Sequence, residues 1–120
     1  VVKKKKKYPK TYEECCDVLE IKYSSYCVGY QEELLDNFQQ LIVCRDAYWK
    51  IAGEQMGLGK PWEPDWNHNT EKYVIYPYQY LYSIDKENYR NTLLAFPTKE
   101  MRDAFYENFK DLIEYCKELL

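Results

Sequence analysis

Histidine is the scarcest functional side chain in this sequence: His68 stands alone among 120 residues. Catalysis by an activated nucleophile needs a base within hydrogen-bond reach, so every histidine-based version of that chemistry would have to run through this residue. Its neighbours are Asn67 and Asn69, and a solvent-exposed or locally hydrogen-bonded ring is expected. Metal-ligand spacing is missing as well. The five cysteines, Cys15, Cys16, Cys27, Cys44 and Cys116, contain no C-x-x-C pair, and with a single histidine they assemble no structural zinc set. Gly57-Leu58-Gly59-Lys60 has the glycines of a phosphate loop, but Pro61 stands where the hydroxyl belongs and the stretch follows a helix pattern, not a strand. No apolar run approaches the ~18 residues of a membrane span, and no signal-peptide core follows the N-terminal lysines. An odd cysteine count without a secretory segment points to free thiols in a reducing compartment, so a cytoplasmic location is expected. Together these absences lead to the expectation of a non-enzymatic protein with no metal, no cofactor and no membrane segment.

What the chain has in excess is ring surface. Aromatic residues make up 18% of it and tyrosine alone supplies 14 positions. Each buried tyrosine brings a large apolar ring and a hydroxyl that demands a partner, so the chain either builds a core with wet edges or displays a sticky surface. The net charge of −3 hides a split. Residues 1–10 hold six lysines and no acid, while the rest hold 11 basic against 20 acidic side chains, so the first ten carry +6 and the body −9. The length suits one domain. Residues 1–10 are therefore expected to be a flexible basic arm, with Pro9 blocking helix entry, and residues 11–120 a single domain.

Periodicity sets out that domain. Thr11-Tyr12-Glu13-Glu14 fits the S/T-x-x-E capping box and predicts a short helix to about Leu19. Its vicinal Cys15-Cys16 pair is expected to split, one thiol buried and one at the surface. Residues 20–29 form a connector. Leu34, Leu35, Phe38, Leu41, Ile42, Tyr48, Trp49 and Ala52 follow the i, i+3, i+4, i+7 rule and predict a long helix over 31–52, with Gly57 and Gly59 as stop signals. Residues 57–70 read as a loop that carries Trp62 and Trp66. From Tyr73 to Ile84 the period becomes two: Val74, Tyr76, Tyr78, Tyr80, Tyr82 and Ile84 share a face that is expected to be the core face. Pro77 makes this strand an edge or breaks it. Asp85 to Asn91 is the expected turn and Thr92 to Phe96 the returning strand. A third strand, if present, is expected from residues 20–29 or from a second chain. Thr98 caps a last helix, from Lys99 to the end, with Met101, Phe105, Phe109, Leu112, Ile113, Cys116, Leu119 and Leu120 on its apolar face. The fold class is α+β.

The stretches LIVCRDAYWKIAGEQMGLGKPWEPDW (41–66) and LLAFPTKEMRDAFYENFKDLIEYCKELL (93–120), with PKTYEECC near the start, resemble small uncharacterised proteins of gut Bacteroidales and their phages. That resemblance implies a bacterial cytoplasmic or phage-encoded setting and carries over no catalytic residue.

Two surfaces remain as candidates. Glu63 and Asp65 are bracketed by Trp62 and Trp66, an arrangement that can take a cation or a sugar. It can equally fold its tryptophans inward and its acids outward, and the alternation favours the second. Tyr76, Tyr78, Tyr80 and Tyr82 lie on a strand that can pair at its edge. These residues point to a protein-interaction module, self-associating or bound to another protein. The alternative is a nucleic-acid-binding accessory protein that neutralises phosphates with Lys3, Lys4, Lys5, Lys6, Lys7 and Lys10 and stacks bases on exposed tyrosines.

Overall fold

A computed structural model describes residues 8–22, 30–68, 70–76, 80–84 and 92–120, with only the backbone described at 30–32, 76 and 80–84. The fold is α+β: three α-helices pack with an antiparallel sheet. Helix α1 spans Tyr12–Leu19 and α2 spans Tyr30–Gln55; strands β1 (Lys72–Tyr76), β2 (Tyr80–Ile84) and β3 (Ala95–Phe96) follow; α3 spans Lys99–Tyr115 and ends in a 3₁₀ turn at Lys117–Leu119.

Helix α1 starts where its cap predicts. The Thr11 hydroxyl accepts the Glu14 N–H at 3.1 Å, satisfying one of the first-turn donors. The reciprocal half of the box shifts by one residue, because the Glu14 carboxylate accepts the N–H of Lys10 at 2.7 Å. The expected split of the vicinal cysteines does not occur: Cys15 and Cys16 are both sealed, at 0% and 1% exposure. Adjacent helical positions are about 100° apart, and an apolar stripe that wide takes both. Hydrogen bonding to the Cys44 thiol, followed by burial, pushes the Cys15 thiol far above its ordinary range; burial also raises Cys116. All four described cysteines are free and buried.

Helix α2 is longer than its periodicity indicates, and its buried stripe runs through Leu41, Cys44, Ala47, Tyr48 and Ala52. Leu35, counted on the apolar face by spacing, is 62% exposed. The helix stops at Gly57, whose φ of +67° is left-handed. Its N–H reaches the Glu54 carbonyl at 3.2 Å and the Leu58 N–H reaches the Gly53 carbonyl at 2.9 Å, the two bonds of a Schellman ending.

Tyr48 is the centre of the core. Its ring meets Phe105 edge-on at 5.0 Å, Phe109 at 6.0 Å and Phe96 at 6.2 Å, and stacks on Tyr8 at 5.3 Å. Its hydroxyl donates to the Pro9 carbonyl at 2.7 Å and accepts from the Asn108 amide at 3.0 Å. Two residues of the expected arm are held by the core: Pro9 is buried and Tyr8 packs on it; residues 1–7 lie outside the described part. Helix α3 buries Met101, Arg102, Phe105, Phe109 and Ile113, with a break in helical geometry at Phe109.

The sheet differs from one expectation. The run Tyr73–Ile84 is two strands, paired antiparallel from Lys72↔Ile84 to Tyr76↔Tyr80; Pro77 and the expected turn at 85–91 lie outside the described residues. Ala95–Phe96, within the expected returning stretch Thr92–Phe96, pairs with the other edge of β1 to give the order β2-β1-β3. Ile21 lies in no strand, and residues 23–29 of the expected additional strand lie outside the described part. Both faces of β1 are covered: Ile75 joins the main core, and Val74 joins a smaller cluster with Ala95 under Trp62 and Trp66.

Replacing Tyr48 with Phe keeps the ring but leaves the Pro9 carbonyl and the Asn108 amide only their long 3.4 Å bond to each other, and should cost about 1–3 kcal/mol, read as a lower urea midpoint with an unchanged slope. Burial, chiefly, lifts the Tyr48 phenol above its ordinary value of 10.0. The native state thus holds this proton more tightly than the unfolded chain. The corresponding stability is whole below about pH 10 and falls as pH rises beyond it, and Tyr48→Phe should make the alkaline decline shallower by up to about 1.4 kcal/mol per pH unit. A brief native pulse of a thiol reagent, followed by mass spectrometry, should leave Cys15, Cys16, Cys44 and Cys116 unmodified until urea is added; rapid labelling of either Cys15 or Cys16 would restore the expected split.

Candidate interaction site at the tryptophan loop

The loop after α2 is held down by a missing side chain. A Cβ at Gly53 would lie 1.9 Å from the Lys60 carbonyl oxygen and 2.9 Å from the Pro61 Cα, so glycine alone lets the loop backbone lie on the helix. That seating brings the Trp62 N–H to the Trp49 carbonyl at 2.9 Å and the Trp62 ring edge-to-face onto Trp49 at 5.7 Å. Trp49 is itself fixed: its indole N–H donates to the Ala95 carbonyl at 2.8 Å, and the Arg45 guanidinium lies 4.0 Å above its ring.

The far end of the loop is closed by Lys72. Its ammonium is buried, donates to the His68 and Thr70 carbonyls at 3.0 Å each, and lies 5.2 Å from the centre of the Trp66 ring. It forms no ion pair among the described residues. Sequence reasoning missed Lys72. The available signal was a charged residue on the pleat row of Val74, but lysine at a strand end ordinarily reaches water.

Along the loop, Trp62, Pro64 and Trp66 are half-buried while Glu63 and Asp65 are exposed, the inward-outward alternation expected of the bracketed acids. Asp65 also organises a turn: one carboxylate oxygen accepts the Asn67 N–H at 2.9 Å and the other lies 3.2 Å from His68 Nε2. His68 is thus exposed and locally bonded, whereas the described cysteines are sealed in the core. No group of three or more His, Cys, Asp or Glu side chains that could hold a metal is found among the described residues, and no described helix is long and apolar enough to cross a membrane.

Between the loop and β1 lies a recess of about 150 Å³. Met56, Trp62 and Pro97 give it apolar walls, Thr70 and Lys72 a polar side, and Glu63, Asp65 and Glu71 its carboxylates. Glu71 accepts from the Tyr73 hydroxyl at 2.8 Å. Glu63 has no hydrogen-bond partner among the described residues. A larger cleft of about 480 Å³, lined by Lys50, Gly53, Glu54, Gly57, Gly59, Lys60 and Pro61, lies at the C-terminal end of α2, where the helix dipole works against an anion. Gly57 and Gly59 both have positive φ, which loop geometry alone requires. The other sequence candidates do not join this site. Lys10 is exposed beside α1. Lys3, Lys4, Lys5, Lys6, Lys7 and Tyr78 lie outside the described residues, as do the side chains of Tyr76, Tyr80 and Tyr82; the register sets Tyr80 opposite Tyr76 and Tyr82 opposite Val74.

No protein-family model, curated protein or solved structure matches this chain. The meaning of the site therefore rests on its own geometry.

Gly53→Ala should displace the Lys60–Pro61 backbone and loosen Trp62, costing about 1–3 kcal/mol as an overpacked contact. The checks are the urea midpoint and a red shift in tryptophan emission; an unshifted spectrum at full stability would show that the close approach does not seat the loop.

Proposed function

We propose that this protein is a non-enzymatic protein-interaction module that contacts its partner through the tryptophan loop. We place it in a bacterial or phage-encoded cytoplasmic setting, as the resemblance implies. One observation supports the reading above the others: half-buried Trp62 lines a recess together with Met56, which is 52% exposed, on a loop clamped at both ends. Aromatic and methionine side chains are enriched in interfaces, and tryptophan dominates their energetics. A surface already held rigid loses little conformational freedom on association. Helix termination and the Lys72 clip thus prepare a contact face before any partner arrives. Self-association is the simplest use of such a face.

A second reading, nucleic-acid binding through Lys3–Lys7 and Lys10, is supported by the +6 charge of the first ten residues. The acidic body opposes it. Titrating single-stranded and duplex DNA at two salt concentrations decides it, because phosphate contacts weaken steeply with salt; absent or salt-insensitive binding removes this reading.

For the leading reading, Met56→Asp places a charge on the exposed edge of the face without touching the core. Sedimentation velocity should show the wild-type chain associating and the variant about tenfold weaker or more, which corresponds to about 1.4 kcal/mol, with an unchanged melting temperature. Association that is indifferent to Met56→Asp would remove the tryptophan loop as the contact face.

A further inference from the structure

We propose that Cys15 and Cys44 are the two ends of a reversible disulfide, installed by hydrogen peroxide, that fastens α1 to α2 and so holds the N-terminal segment on the core. The inference stands apart from the interaction reading, since both residues lie in the main core and not at the tryptophan loop.

The fold places the two thiols together. Cys15 sits in the middle of α1, and two side chains of α2 grip the chain on either side of it. The Tyr48 hydroxyl donates to the Pro9 carbonyl, ahead of the first turn, and the Lys50 ammonium donates to the Val18 carbonyl in the last turn, each at 2.7 Å. Cys44 stands one turn before Tyr48 on the buried stripe of α2. Cys15 and Cys44 both belong to the main core cluster, both are wholly buried and both are free. Their thiols hydrogen-bond to each other across the helix pair. Side chains in that contact need only rotate about their Cα–Cβ bonds to approach the ~2 Å of a disulfide. The other cysteines are placed differently. Cys16 is sealed but lies outside the main cluster. Cys116 belongs to the cluster, and burial alone shifts its thiol. Cys27 lies outside the described residues.

The chemistry balances with the peroxide as oxidant. One sulfur, as its thiolate, attacks a peroxide oxygen; the O–O bond breaks, a sulfenic acid forms and a first water leaves. The second sulfur attacks the sulfenic sulfur; the S–S bond forms, the S–O bond breaks and a second water leaves with the second thiol's proton. Both sulfurs are oxidised and the peroxide is reduced to water. Neither thiol meets solvent in the closed fold, so the first step waits for α1 to lift. A helix of eight residues has little stability of its own, and its opening costs less than unfolding the whole chain. Redocking returns Cys15 to Cys44, and the bond then denies the helix that excursion. It also ties residues 16–43 into a covalent loop, which restricts the unfolded chain and raises stability. A slow oxidation gated by opening agrees with thiols that resist a brief reagent pulse.

The test uses the full chain. It is incubated for several hours with hydrogen peroxide, unfolded in urea with an alkylating reagent, digested without reduction and mapped by mass spectrometry. The expected product is one linked peptide pair, Cys15 with Cys44, with Cys16 and Cys116 alkylated. The oxidised chain should unfold at a higher urea midpoint, which dithiothreitol returns to its starting value. Cys15→Ala and Cys44→Ala should each abolish the crosslink, while Cys16→Ala and Cys116→Ala keep it; the wild-type map decides the pairing by itself if an alanine variant fails to fold. Crosslinks dominated by Cys16, Cys27 or Cys116 would overturn the pairing, as would sulfinic and sulfonic acids at Cys15 and Cys44 with no bond between them. Oxidation that begins only where the whole chain unfolds would remove the lifting of α1 as its route. A Cys15–Cys44 bond that leaves the urea midpoint unchanged would refute its role as a fastening.

Discussion

A phenol taken out of water has to find partners for its oxygen, and Tyr48 finds them in two distant parts of the chain. Its hydroxyl joins the Pro9 carbonyl to the Asn108 amide, while its ring is the surface on which Phe96, Phe105 and Phe109 meet. One side chain on α2 therefore positions the N-terminal segment, α3 and β3 together. The sheet is tied to the same cluster: Phe96 of β3 packs on Tyr48 and Phe105 while its backbone pairs with β1. The other covering of the sheet, the tryptophan loop, is fixed by Gly53 and Lys72, and it meets the main core through the contact of Trp62 with Trp49.

This layout gives β1 two unlike faces. One carries Ile75 into a core of helices and aromatic rings; the other carries Val74 and Lys72 under the tryptophans. The second covering is thin. It is a loop, not a helix, and a buried ammonium with two carbonyl partners stands where a layered fold would place apolar side chains. A thin covering leaves a recess at its edge, and the carboxylates that alternate with Trp62 and Trp66 give that recess its negative character.

Local rules made the helices legible. Thr11 and Thr98 cap where their motifs indicate, and both accept the third following N–H; Gly57 ends α2 with the positive φ that made it a stop signal. Long-range closure was less legible. Alternation from Tyr73 to Ile84 looks the same whether it belongs to one strand or to two, because the register that pairs Val74 with Tyr82 and Tyr76 with Tyr80 keeps the same residues on the same pleat row. The expected split of Cys15 and Cys16 and the placing of Leu35 went astray for a related reason: periodicity tells which residues share a face but not how far a neighbouring element extends over it. Trp62 and Trp66 were singled out correctly as pins of the loop, while the lysine that closes it carried no signal beyond its place on an apolar row.

The contact between Asn108 and Pro9 spans 99 positions of the chain, nearly its whole length. Helix α1 has its bonds from local partners, but its tether to the body needs a residue of the last helix. Closing so large a loop is slow relative to local helix formation, so the segment before α1 is held only once α2 and α3 have both docked on Tyr48.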